Sequence, residues 1–226
     1  MNKNADTSRI NTASYAQSDY LQMNIHDAYA PFLKFFRAKR NRQCVEMLKL
    51  TPEMTVLDVG GTAAYWRSMP VRPQVTLLDI RKMEESEFRQ IIASACDIPF
   101  PDKSFDVVFC NSVIEHLGTW EHQLKAAKEI LRVGKKVWVQ TPYRWFPVEP
   151  HLLTPFIHWL PKSWQKGLMP FTVWALIGKP SRERCDSMWA EIRLLNVREM
   201  KHLFPTCKLV YERYGVIKSL VAVKAE

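Results

Sequence analysis

The chain has 226 residues, 47% of them hydrophobic and 24% charged. That balance excludes a disordered chain and suits one folded domain with a real core. A net charge of +9 admits an anionic surface, an acidic substrate or nucleic acid, but the densest basic cluster, Arg37, Lys39, Arg40 and Arg42, follows a helical pattern and reads as a solvated face.

The polar stretch Met1 to Ser18 lacks an apolar signal segment and reads as a tail. No run of 18 apolar residues predicts a membrane-crossing helix, so the chain reads as cytoplasmic. Residues 20–50 carry apolar groups at helical spacing, Phe32, Phe36, Cys44, Met47 and Leu48, which predicts one or two helices before the main sheet. Residues 1–50 are thus expected to form an N-terminal tail and helices, either a lid or a dimer contact, ahead of a domain spanning 51–226. A strand is expected at Thr55–Val59, closed by Gly60-Gly61, followed by strands at Val75–Asp79, Ile91–Cys96 and Phe105–Cys110. The continuous apolar run of the last suits a strand buried on both faces of a parallel sheet. Thr119 caps an expected helix carrying Leu124, Ala127, Ile130 and Leu131, which Gly134 closes. A fifth strand is expected at Lys136–Gln140.

Residues 142–190 break this rhythm, being rich in Pro, Trp and Phe without a clear strand, and read as an insertion or lid. Asn196 to Phe204 is then a helix with an Asn-x-x-Glu start and a stop at Pro205, and strands at Leu209–Tyr214 and Ser219–Lys224 end the chain. The alternation predicts an α/β fold: a three-layer, open, mostly parallel twisted sheet with an antiparallel last strand and an aromatic-rich insertion after strand five. The five cysteines, Cys44, Cys96, Cys110, Cys185 and Cys207, show neither Cys-x-x-Cys nor Cys/His spacing, so free thiols and no metal site are expected.

In such a sheet ligands bind beyond the carboxyl ends of the strands. Three signals sit there. Asp58-Val59-Gly60-Gly61-Thr62-Ala63-Ala64 places small residues at a strand-to-helix turn, where a ligand can approach the backbone. Asp79 ends the second strand, where an acid can take both hydrogen bonds of a ribose diol. Asp97 precedes Ile98-Pro99-Phe100, where an acid can accept from an adenine amino group. Each alone is as often a plain turn or cap; their order and spacing give them weight.

From Val56 to Thr141 the chain resembles the class I, Rossmann-like, S-adenosylmethionine-dependent methyltransferases of the small bacterial type. The resemblance implies that Asp58, Gly60, Gly61 and Thr62 meet the methionine part of the cofactor, with Trp66 close by. Asp79 and Ile80 meet the ribose, and Asp97 and Ile98 the adenine. Asn111 opens the segment Asn111 to Leu117, which borders both cofactor and acceptor. The sequence departs from the family's acid-x-Gly-x-Gly-x-Gly motif at Thr62 and Ala64. A dehydrogenase would want G-x-G-x-x-G at this turn, which is missing.

Methyl transfer is an in-line displacement that rests on positioning, with a general base when the acceptor must lose a proton. Candidate catalytic groups past strands four and five are His116, Glu149 and His151; Glu149-x-His151 can act as a base with an orienting carboxylate. The competing reading is that these groups cap a helix or pin the lid. Tyr143, Arg144 and Trp145 are candidate acceptor contacts. Of the aromatics between Phe146 and Trp189, Leu168–Gly178 carries no charge and is rimmed by Lys162, Lys166, Lys179, Arg182 and Arg184, so the insertion reads as a pocket wall, a plain lid or a membrane contact. The leading reading is methylation of a small-molecule acceptor, a secondary metabolite or glycan. The alternatives are a lipid-linked acceptor, nucleic acid (against which the lack of an Asn/Asp-Pro-Pro-aromatic motif and of a separate basic domain counts), and a non-catalytic module, which Thr62 motivates.

Overall fold

The computed structural model describes residues 37–82 and 87–225; the expected tail, Phe32 and Phe36 lie outside them. Helix α1 covers residues 37–48. It is followed by β1 (Thr55–Val59), α2 (Ala63–Arg67), β2 (Gln74–Asp79), β3 (Arg89–Ile92) and β4 (Phe105–Asn111). Then come a 3-10 turn (Ile114–Leu117), α3 (Trp120–Val133) and β5 (Gly134–Pro142). The insertion holds β6 (Val148–Glu149), β7 (Thr154–Pro155), α4 (Lys162–Leu168), α5 (Val173–Gly178) and α6 (Arg182–Glu191). The chain closes with α7 (Val197–Leu203), β8 (Lys208–Tyr214) and β9 (Val216–Lys224).

Seven strands form one sheet in the order β3-β2-β1-β4-β5-β9-β8. All neighbours pair in parallel except β9, which runs antiparallel to both β5 and β8. The chain reverses its direction of growth between β1 and β4, which makes the crevice beyond their carboxyl ends the ligand-binding place of this architecture.

The side-chain period of two explains the three layers. Leu57, Val59, Val108, Cys110, Val137 and Val139 face α3 and α7, where Ala127, Ile130, Met200 and Leu203 meet them. Val56, Val107, Phe109 and Trp138 face the other way, onto Cys44 and Leu48 of α1 and Trp66 of α2. Each fully buried aliphatic or aromatic side chain contributes about 1.5–3 kcal/mol. The apolar face of α1 is thus part of the sheet's core, and residues 37–50 pack into the domain they precede.

Three departures from expectation have a local cause or consequence. Strand β3 stops at Ile92 rather than Cys96, because Ser94 folds the chain back: its hydroxyl accepts from the Cys96 amide (3.1 Å) and its carbonyl from Asp97 (3.0 Å). Gly134 ends α3 in an extended conformation (φ −91°, ψ 135°), not a left-handed one, and begins β5 directly. Its need for glycine is steric, since a Cβ would stand 2.8 Å from the Lys136 carbonyl and from Val108. The insertion holds a two-strand ladder where no strand was expected. It has its own apolar cluster, including Leu152, Ile157, Met169, Trp174 and Met188. Its stem is tied down where Tyr143 bridges Leu195 and Arg144 donates to the Leu195 carbonyl (3.0 Å). Its far end is clamped to the turn after β4, by Gly118 N to Glu191 O (3.0 Å) and Arg193 N to Glu115 O (2.7 Å). The insertion therefore stands over the carboxyl ends of β4 and β5. The helix expected near Asn196 is present with a complete capping box between Asn196 and Glu199.

Candidate active site

The crevice between β1 and β4 is built on Gly60 and Gly61. Gly60 has φ +73°, and its amide donates to the Leu78 carbonyl (2.7 Å), which ties the turn to β2. A Cβ on Gly60 would meet Val113 at 2.7 Å, and one on Gly61 would overlap the Asp58 carboxylate at 1.6 Å. Neither position tolerates a side chain. Thr62, where the family has glycine, sits at φ −127°, ψ 151°, an ordinary extended conformation, with its side chain exposed. The departure therefore introduces no backbone strain.

Beneath the turn, Asp58 is 1% exposed. Its Oδ2 accepts from Trp66 Nε1 at 2.6 Å, while Oδ1 is buried with no partner. Burial pushes its pKa up to about 7 against the opposing pull of that hydrogen bond. Trp66 lies inside the core, edge-on to Phe109 (5.3 Å), and holds Asp58 from below instead of walling the crevice. Asp79 ends β2, with Oδ1 accepting from the Arg81 amide (2.8 Å); Ile80 beside it is exposed. Ala93 donates to the Asp79 carbonyl (3.0 Å), so residues 93–94 adjoin the end of β2. Asp97 is exposed. Ile98 is buried and its amide is already taken by Glu129 Oε2 (2.8 Å), which leaves that amide no donor for adenine. Ser94, at the strand end, is a residue the sequence reading passed over.

These residues fit S-adenosylmethionine. A turn of two glycines, close-packed on Val113 and Asp58 but with no side chain of its own, and a partnerless buried Asp58 oxygen would suit a methionine moiety with its ammonium, and the carboxylate at the end of β2 a ribose.

On the other side of the crevice, α1 delivers Arg40. Its guanidinium forks onto Glu212 (2.5 and 2.8 Å) and also donates to Asn111 Oδ1 (3.0 Å) and Gln140 Oε1 (3.2 Å). One cation thus ties together the ends of β4, β5 and β8 and occupies the Asn111 carbonyl oxygen. The basic cluster is accordingly split: Arg37, Lys39 and Arg42 are exposed as expected, and Arg40 turns inward. The signal was present in the spacing, because Arg40, Cys44 and Leu48 recur every four residues on one helix face.

The turn after β4 and the loop after β5 bring Glu115, His116, Glu149 and His151 together. Ser112 leads into this turn at φ 55°, in the left-handed region, held by bonds from its amide to Gln140 O (2.9 Å) and from its hydroxyl to Gln140 Oε1 (2.9 Å). Glu115 is fully buried; Oε2 accepts from Thr141 Oγ1 (3.0 Å) and Oε1 has no partner. Burial raises its pKa to about 7, with the nearby His151 pulling the other way. The His116 ring packs edge-on to His151 at 4.6 Å. Burial, then the charge of His151, pushes the His116 pKa down to about 3, so its imidazole is neutral at physiological pH. His151 Nδ1 lies 2.7 Å from Glu149 Oε1, and Glu149 is fixed by the Leu152 amide on its other oxygen (2.5 Å). Burial alone would lower the His151 pKa, but the Glu149 carboxylate outweighs it and the net shift is upward. Glu115, His116 and His151 each offer one ligand atom within 4.8 Å of the others, a set able to relay a proton or hold a divalent cation.

Of the expected acceptor contacts, Tyr143 packs on the main core. Arg144 lines a cavity of about 460 Å³ shared with Glu149, His158, Lys162 and Trp189. Trp145 points outward beside Trp159 (6.0 Å).

Residues 57–137 match the family model described as a methyltransferase domain. The bovine (Bos taurus) protein named probable tRNA methyltransferase 9B is 29% identical over 133 residues, 53% of this chain and 28% of that protein. An uncharacterized protein of Methanocaldococcus jannaschii is 29% identical over 122 residues, 51% of this chain and 60% of that one. This chain thus spans under two thirds of either relative. Among solved structures, one described as a "possible exported protein" of Bordetella parapertussis shares the fold with a TM-score of 0.50 at 10% identity, covering 84% of this chain and 67% of that one.

Proposed function

Because this chain carries a class I, Rossmann-like methyltransferase domain, we propose that it transfers a methyl group from S-adenosylmethionine to an oxygen or nitrogen of a small-molecule acceptor. The observation that carries this reading is the Glu149–His151 pair, held at 2.7 Å beyond β5 and facing the turn after β4. When bound, the cofactor supplies an electrophilic methyl carbon on a sulfonium. Asp58 and the Gly60-Gly61 turn hold its amino-acid end and Asp79 its ribose. With the cofactor held there, its methyl carbon would be open to in-line attack by an acceptor lone pair, and His151 would take the proton of an acceptor that must lose one. Glu149 keeps Nδ1 engaged, so Nε2 is the nitrogen that receives it, and the carboxylate stabilises the imidazolium that results. His116, with its neutral ring, orients the acceptor.

A second reading, methylation of tRNA, has its support in the name of the bovine relative and in the charge of +9. Calorimetry with S-adenosylmethionine and S-adenosylhomocysteine on wild type and Asp79→Ala tests the cofactor site. Micromolar binding lost in the variant is expected, and a folded wild type that binds neither would sink methyl transfer. Radiolabelled methyl transfer to hydroxylated or aminated small molecules and to tRNA then separates the two acceptor readings.

A further inference from the structure

Nine of the thirteen exposed large apolar side chains among the described residues lie between residues 145 and 177. Helices α4 and α5, joined by the 3-10 turn Met169–Phe171, turn Met169, Trp174 and Ala175 into the insertion's own core. They leave Trp164 (65% exposed), Leu168, Phe171 (70%), Val173, Leu176 (61%) and Ile177 on the outside. Single exposed apolar residues are ordinary, but six of them on two short helices and the turn that joins them form a ridge that marks a contact surface.

The charges around the ridge say which contact. No acid occurs between Glu149 and Glu183, while Lys162, Lys166, Lys179 and Arg182 fall within that span, and the whole chain carries +9. Lys162 turns its ammonium inward onto the Trp189 and Ile192 carbonyls (2.8 Å each), and Lys166 shares its charge with Asp186 (3.4 Å); the exposed rim is Lys179 and Arg182. Apolar wedge, exposed tryptophan and basic rim are the chemistry of an anionic bilayer interface, which buries the wedge and attracts the rim. A second copy would set one basic rim against another, and a nucleic acid would leave the ridge in water. No helix among the described residues is long and apolar enough to cross a membrane; α4 and α5 have seven and six residues.

We propose that the α4–α5 face docks this protein peripherally on anionic lipid bilayers. The surface adjoins the reaction site without being part of it. Lys162 and Gln165 of α4 help line the cavity that Glu149 also lines.

The test is co-sedimentation of the full chain with vesicles of phosphatidylcholine alone and of phosphatidylcholine mixed with phosphatidylglycerol. Binding to the mixed vesicles, weakened by added salt, is expected. The triple variant Phe171→Ser, Leu176→Ser and Ile177→Ser should lose on the order of tenfold or more of that partitioning. Its melting temperature and its affinity for S-adenosylmethionine should stay at wild-type values, which separates failure of this proposal from failure of the methyl-transfer reading. Lys179→Gln with Arg182→Gln should weaken binding to the mixed vesicles alone. No binding to either vesicle, or equal partitioning of wild type and triple variant, overturns the proposal. So does sedimentation equilibrium in which the wild type self-associates through this face and the triple variant is monomeric, with no vesicle binding.

Discussion

Asp58→Asn should stabilise the free protein at pH 8, destabilise it at pH 5, and weaken its hold on the cofactor, and all three effects follow from one buried carboxyl. In the folded state burial lifts the carboxyl from 3.8 to about 7. At about 1.36 kcal/mol per pKa unit, the ionised form costs about 4 kcal/mol. With the side chain 1% exposed, solvent screening does not reduce this much. The sign follows from linkage: a folded-state pKa raised above the unfolded value gives stability that is fully present below about 4 and lost as pH rises through about 7. Wild type should therefore be less stable at pH 8 than at pH 5 by up to a few kcal/mol from this group. Asn keeps an acceptor for Trp66 Nε1 but puts an amide where Oδ1 had no partner, which costs about 1–3 kcal/mol at every pH. The variant should lose Asp58's share of the pH 5 to 8 decline, keep the share of Glu115, whose buried carboxyl is likewise raised to about 7, and overtake wild type at pH 8. Urea titrations of both proteins at the two pH values measure this, and calorimetry measures the cofactor, whose ammonium loses its counter-charge. If Asp58→Asn shows the full wild-type decline between pH 5 and pH 8, the Asp58 carboxyl is not a source of it. If cofactor affinity is unchanged, Asp58 does not hold the methionine end.

Three further outcomes are expected. His151→Gln should lower kcat about 10²–10⁴-fold for acceptors that must lose a proton, with cofactor affinity unchanged; a wild-type kcat would return His151 and Glu149 to a role in pinning the insertion. Gly61→Ala places a Cβ 1.6 Å from Asp58 Oδ2 and should cost about 1–3 kcal/mol of stability through the forced shift, read by chemical denaturation. It should also abolish cofactor binding in the fraction that folds. Arg40→Met breaks a guanidinium–carboxylate fork whose partners are each only 11% exposed, leaving Glu212 without its cation; a loss of about 3–5 kcal/mol is expected, and a variant that unfolds at the wild-type denaturant midpoint would contradict it.

The sheet was legible because its strands are written as continuous apolar runs, as runs ended by Gly, Asp or Asn, or as both. β4 shows both marks, apolar but for Asp106 and ended by Asn111; β1 is closed by Gly60 and β2 by Asp79, whereas β5 shows only its apolar run Val137–Val139 and ends at Pro142. Boundaries were less legible where one side chain decides them: Ser94 cuts β3 short through its hydroxyl, and Gly134 reads the same whether it caps a helix or clears space for Val108. Within the site, local chemistry carried through the chain. Glu149 and His151 are two residues apart, and the bond between them was readable as a Glu-x-His pair. What could not be read were meetings between distant segments. Glu115 and Thr141 are 26 residues apart, and Arg40 and Glu212 are 172 apart. The same limit explains Ile98: as a sequence position it follows an acid near a strand end, and only the fold shows that Glu129 of α3 has already claimed its amide. The turn Asp58 to Thr62 and the strand-end Asp79 lie within consecutive strand–turn units, so their places in the sheet could be read from the sequence, whereas the inward turn of Trp66 and the prior claims on Ile98 and Asn111 could not. The surroundings of Glu115, His116 and Glu149 and of the Arg40 fork are assembled from α1, the turn after β4, the insertion and β8, four segments whose relation only the packed sheet defines. Substitutions in α1 or the insertion can therefore reshape the surroundings of Glu149 and His151 while Gly60, Gly61 and Asp79 stay in place.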